Sequence, residues 1–336
     1  MKSHTQIIMS INSGTRLCAR QIGPLAICAR SLLVLICLAI VVNGQSPRTA
    51  EEYNNRGLDR QARGDVDGAI EDYTKALSMR DKPIVLATAY NNRANARLNK
   101  NDLDGAIADY GKAIELQPVD FENYYNRGVA LMAKPAYEAA VADFSKSIEL
   151  FPKFASAYDN RGTARRMTGD LEGAILDYQK AVEIQPKASL PYYNLGAALQ
   201  AKGDTKAAIA AYSSAIELAP KFADAYVNRG QARQSINDLD GAIADYDQAT
   251  SLKPDAGVYY ARATTRQAKN DLPGALADYS KAIELNPAMA SAYANRGVVE
   301  TLQGKKVEAR RDFETAFRLE PGLRKNFEKF LVRLKS

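Results

Sequence analysis

The chain has 336 residues, with 45 Lys and Arg against 39 Asp and Glu, a net charge of +6, three Cys and one His. His4, Cys18, Cys28 and Cys37 all lie within the first 40 residues. Everything after them lacks a thiol nucleophile, an imidazole base and a His/Cys metal site, so no catalytic or cofactor-binding residues are expected there. The surplus of base sits at the two ends, in Lys2, Arg16, Arg20 and Arg30 and again in Arg324–Ser336. Between them the chain is slightly acidic, which removes the main support for nucleic-acid binding.

Residues 1–44 read as an export signal. Four bases and no acid precede the apolar run Leu32–Val42, and small residues lead to a cut near Gly44 or Gln45. A run of 11 residues is short for a membrane span, which needs about 20. An uncleaved anchor is the alternative, and only then is a membrane a partner. A short linker, 45–49, follows. Cleavage leaves 41 bases against 39 acids, so the basic balance describes the termini and not a binding face.

From Ala50 the sequence repeats itself. Eight copies begin at Ala50, Ala87, Phe121, Ala155, Ser189, Ala223, Ala256 and Ala290, with extra residues in Asp81–Leu86 and one missing at Asp255. The copy at Ala155–Ala188 shows the plan. A helical pattern around Tyr158 and Gly162 ends at Thr168-Gly169-Asp170, where Gly169 suits a left-handed residue and Asp170 an N-cap. Ala174, Ile175, Tyr178, Ala181 and Val182 then form the apolar stripe of a second helix, which Pro186 stops. At the turn, Gly64, Gly169, Gly203 and Gly304 alternate with Asn101, Asn237 and Asn270, the two residue types that tolerate positive φ. Pro135 and Pro273 have ordinary turn and first-turn explanations. Large and small apolar groups recur in register: a ring at the twenty-fourth position of every copy, and Tyr at every fourth position from Tyr53 to Tyr293.

These Tyr, Gly/Ala, Ala and Pro positions, spaced mostly at 34 residues, resemble a tetratricopeptide-repeat array over residues 50–323. The resemblance implies an all-α, right-handed superhelical solenoid of eight helix-turn-helix repeats. It also implies that the first helix of each pair lines a concave groove holding a peptide or helix of a protein partner, without catalysis. Residues 324–336 break the pattern; Phe327, Phe330, Leu331 and Leu334 share one helical face. That face suits a helix capping the last repeat, or less simply a membrane surface.

Three rows run along the array. The seventh position is Arg and the twenty-third Asp in the same seven copies, and the fifth copy loses both at once to Leu195 and Ala211, with Leu199 where five copies carry Arg. Charges that vanish together predict an Arg–Asp pair between the two helices of each copy. The sixth position is a ladder of Asn, similar to the asparagine row inside the O-linked N-acetylglucosamine transferase superhelix. An amide can bond an extended backbone whatever its side chains, or can merely bond its neighbours. Asn126, Asn160, Asn194 and Asn228, with Tyr125, Tyr193 and Tyr260 at the fifth position, are the candidate floor of a partner site. No Lys stands at the fifth position, unlike family members that clamp the carboxylate of cytosolic chaperones. No GxxxxGK[ST] loop is present, and the regular acids read as helix caps.

Overall fold

The computed structural model describes residues 47–335; the proposed signal and cleavage site lie outside them. Each copy is a pair of helices, and the turn between them shows why. Asp65, Asp102, Asp170, Asp204, Asp238 and Asp271 each accept a hydrogen bond from the backbone N–H three residues on, at 2.9–3.1 Å. Just before them, Gly64, Gly169 and Gly203 and the three Asn take positive φ, the Asn at 63°. The left-handed residue turns the chain and the carboxylate satisfies the next helix's exposed amide.

Two units divide the chain at Gln185/Pro186. The first holds α1 (Ala50–Ala62), α2 (Val66–Ser78), α3 (Pro83–Asn99), α4 (Leu103–Leu116), α5 (Phe121–Ala133), α6 (Tyr137–Leu150), α7 (Ala155–Met167) and α8 (Leu171–Ile184). The second holds α9 (Ser189–Lys202), α10 (Thr205–Leu218), α11 (Ala223–Ser235), α12 (Leu239–Leu252), α13 (Ala256–Ala268), α14 (Leu272–Leu285), α15 (Ala290–Leu302), α16 (Lys306–Leu319), a 3-10 segment (Pro321–Phe327) and α17 (Glu328–Lys335). Within each unit every helix packs on the next, and first helices of successive copies also touch. The described chain is all-α and stacked in pairs, the solenoid arrangement expected. Part of the extra stretch after the first copy lengthens α3, which starts at Pro83 and runs 17 residues.

The core is built from one contact repeated. The twenty-fourth ring of each copy (Tyr73, Tyr110, Phe144, Tyr178, Tyr212, Tyr246, Tyr279, Phe313) is fully buried. In six copies it lies against a glycine of the first helix, so close that a Cβ at Gly128 would come within 2.7 Å of the Phe144 ring. Burial pushes the phenols of Tyr73, Tyr110, Tyr246 and Tyr279 well above their ordinary range, so they serve as donors: Tyr246 and Tyr279 donate to Gln234 and Gln267.

Both ends of the array differ from its middle. Where α3 and α7 bury Ala89, Ala96, Ala157 and Ala164, α1 carries Glu52 and exposed Asp59. The first copy therefore turns a polar face outward, as a terminal repeat must. At the other end Leu334 is buried with Val298, Ala309 and Phe313, and Phe327, Phe330 and Leu331 pack around them. The apolar face of the tail is thus spent on covering the last copy. The covering helix starts later than expected, at Glu328, because Pro321 opens a 3-10 turn first.

The third copy's turn corrects the expectation for Pro135. It occupies the left-handed position at φ 29°, which the pyrrolidine ring opposes, and Ala136 follows as an N-cap with no side-chain bond. Pro135→Gly is expected to raise stability by about 1–3 kcal/mol through relief of strain. Adding Ala136→Asp supplies the missing cap, for about 1 kcal/mol more. Urea denaturation of the single and double variants checks both; a loss of stability in Pro135→Gly refutes the strained geometry.

Candidate functional site

The charged row is a set of clamps between the two helices of each copy. In all seven copies the Arg donates to both oxygens of its Asp, as Arg127 does to Asp143 at 2.7 and 2.7 Å and Arg262 to Asp278 at 2.9 and 2.6 Å. The predicted pairing holds throughout. The eleventh-position Arg adds a second cation: Arg97, Arg165, Arg233 and Arg266 each donate to the same carboxylate at 2.7–2.8 Å, and Arg60 lies 3.2 Å from Asp72. Arg60, Arg97, Arg165 and Arg233 also donate to a backbone carbonyl of the second helix, as Arg60 does to Gly68.

The first Arg makes further contacts. Arg161, Arg229 and Arg296 spend their remaining Nη1 on a Ser hydroxyl of the preceding copy. Each also lies 5.1–6.0 Å over the fourth-position Tyr ring of its own helix, in all seven copies. The hydrogen bonds to Asp72, Asp143 and Asp312 push Arg56, Arg127 and Arg296 further up from an already high value. Arg161, Arg229 and Arg296, so committed, have little left for a phosphate or carboxylate ligand, and Arg56 and Arg127 are held by the same Asp and Tyr contacts without the hydroxyl. The row holds the fold together.

The uncharged row lies where successive first helices meet. Asn160 donates to the Tyr125 hydroxyl at 3.0 Å, Asn228 to Tyr193 at 3.0 Å and Asn295 to Tyr260 at 2.7 Å. Two of the candidate Asn, Asn160 and Asn228, are thus brought together with candidate Tyr: the sixth residue of one copy reaches the fifth of the copy before. Asn92 makes the same reach to Asn54. The Tyr rings are half-buried rather than exposed. Tyr125 lies against Phe144 and Phe154, Tyr193 against Tyr212 and Phe222, and Tyr260 against Tyr279. Asn194 is half-buried on α9.

Asn126, like Asn55 of the first copy, makes no such link. Its counterpart Asn91 donates instead to Asn123 and accepts from Asn95, so Asn126, half-exposed, makes no side-chain hydrogen bond among the described residues. The amide set around it in the first unit includes Asn91, Asn95 and Asn123, which reading the sixth position alone missed. A signal for the pairing was present: where the fifth position becomes Val227, the following sixth becomes Ala261, and the two pack in one apolar cluster.

No group of three or more His, Cys, Asp or Glu side chains among the described residues is placed to hold a metal, and no helix there is long and apolar enough to cross a membrane. Two family models, described as TPR repeat and tetratricopeptide repeat, match the chain. The first matches residues 94–134, 162–203, 198–236 and 266–304, and the second 121–154 and 223–255. The chain belongs to the tetratricopeptide-repeat family. A solved tetratricopeptide-repeat protein from Parabacteroides merdae is similar in fold, at 17% identity and a TM-score of 0.56, over 80% of this chain and 98% of the other. MamA is similar over 50% of this chain and 91% of its own, at 28% identity and a TM-score of 0.47. YrrB, a tetratricopeptide-repeat protein with an unusual peptide-binding site, is 26% identical over 60% of this chain and 99% of its own, at a TM-score of 0.49. No curated protein matches. Tetratricopeptide repeats are generally non-catalytic scaffolds that mediate protein–protein interaction.

Proposed function

We propose that this tetratricopeptide-repeat protein is an exported, non-catalytic adaptor that holds a peptide or helical segment of a protein partner on the face of its first helices. The observation that supports a site in the first unit is Asn126: an amide with its donors and acceptor unspent, beside Tyr125, in a row where Asn92, Asn160, Asn228 and Asn295 each donate to the copy before. Tyr193, Asn194, Asn228 and Tyr260 would form the corresponding floor in the second unit. The basic start and apolar run of residues 1–44 support export.

The test places a photo-crosslinking amino acid at position 126, and separately at Leu176, which is 66% exposed on α8, in the natural host. Adducts with a distinct protein from position 126 alone are expected, from a soluble chain whose N-terminus starts near Gln45. Adducts from position 176 alone would reject the site while leaving the fold intact. An unprocessed N-terminus in the membrane fraction would instead favour a tethered accessory subunit of an envelope assembly.

A further inference from the structure

The eighth copy departs from the clamp plan at one residue. Its eleventh position, where five copies place the second Arg on the buried Asp, is Glu300. The side chain enters the same slot between α15 and α16 and is only 8% exposed. It finds no donor there: its Oε2 is buried and unpartnered, and so is Oε1 of Gln303 three residues on, a second acceptor. The one guanidinium at hand cannot turn to it. Arg296 spends Nε and Nη2 on Asp312 and Nη1 on Ser280.

The charged groups acting on Glu300 are Asp312 and Glu308 from α16, Arg296 from its own helix and Lys305 from the turn. It forms no ion pair among the described residues, α14 and α17 included. A neutral carboxyl would suit the slot far better than an ionised one. Its single O–H can replace one of the N–H groups that Arg supplies elsewhere, donating to the Asp312 carboxylate or to a backbone carbonyl of α16. An ionised one sets two carboxylates together without a donor.

We propose that Glu300 is a pH-sensitive latch on the last copy, closed when its carboxyl is protonated and loosened when it ionises. What it would loosen is α15 against α16, and with them the covering helix, because Leu334 of α17 is seated on Val298 and Phe313 of those helices. Burial first, and the Asp312 charge second, push the Glu300 carboxyl up from 4.5 to about 7. A folded-state value above the unfolded one means the stabilisation is complete below about 4.5 and is lost as pH rises through 7.

The experiment is hydrogen exchange on the full chain at pH 5.5 and 8.0, with protection corrected for the intrinsic exchange rate and read separately for α1–α4 and α15–α17. Protection of α15–α17 is expected to fall on the order of tenfold between the two values in the natural protein, with α1–α4 unchanged. Glu300→Gln, which keeps shape and supplies a permanent donor, is expected to hold α15–α17 equally at both. Glu300→Arg, which rebuilds the clamp of the other copies, is expected to do the same. A natural protein whose α15–α17 protection does not vary with pH, or a Glu300→Gln variant that keeps the full variation, overturns the latch.

Discussion

Asp245→Ala is expected to cost about 3–5 kcal/mol, whereas replacing Arg229, Arg233 and Asp245 together by Leu, Leu and Ala is expected to be close to neutral. The first change leaves two guanidinium groups, only 14% and 24% exposed, converging on an empty slot. The second reproduces what the fifth copy already has in Leu195, Leu199 and Ala211, where Leu199 packs on Ala208, Tyr212 and Ala232. The second Arg also grades the single changes. Arg229→Leu leaves Asp245 held by Arg233 at 2.8 Å. Arg127→Leu strands Asp143, because Leu131 stands where the second Arg would be. Urea denaturation should therefore rank Arg127→Leu as the more damaging of the two. A triple variant as unstable as Asp245→Ala would mean the clamp is worth more than an apolar core of the same volume.

That clamp was legible in the sequence because its two members disappear together, at Leu195 and Ala211. The same logic applied to one more pair of positions would have revealed the Asn–Tyr links, since Val227 and Ala261 also change in step. The link was missed because it joins the sixth residue of one copy to the fifth of another, so no single copy displays it. Repetition exposes what every copy does and hides what one copy does differently. Glu300 was invisible for that reason: a carboxylate among charged positions looks ordinary until the burial of its slot is known. Pro135 misled in the opposite way. Proline is at home in turns, but this turn needs positive φ; the Gly and Asn at the same place in the other copies already pointed to that, and Pro135 was not read against them. The start of α17 was misplaced because a 3-10 segment and an α-helix bury similar faces over so short a stretch.

Tyr246→Ala is expected to cost about 3–5 kcal/mol and Tyr246→Phe only about 1 kcal/mol. The ring fills the space between α11 and α12 with Gly230 directly beneath it; a Cβ there would meet the ring at 2.8 Å. The hydroxyl adds one bond, to Gln234 at 3.1 Å, and the third and eighth copies manage with Phe144 and Phe313. Gly230→Val attacks the same contact from the other side, forcing the ring away from a position that packing leaves no room to change, for about 1–3 kcal/mol. Because each copy leans only on its neighbours, the damage should be local. Hydrogen exchange is expected to rise in α11–α14 while α1–α4 keep their protection. Uniform loss of protection along the chain would show instead that the array folds as one cooperative body, and every substitution would then be felt at the clamps, the Asn–Tyr links and the latch alike.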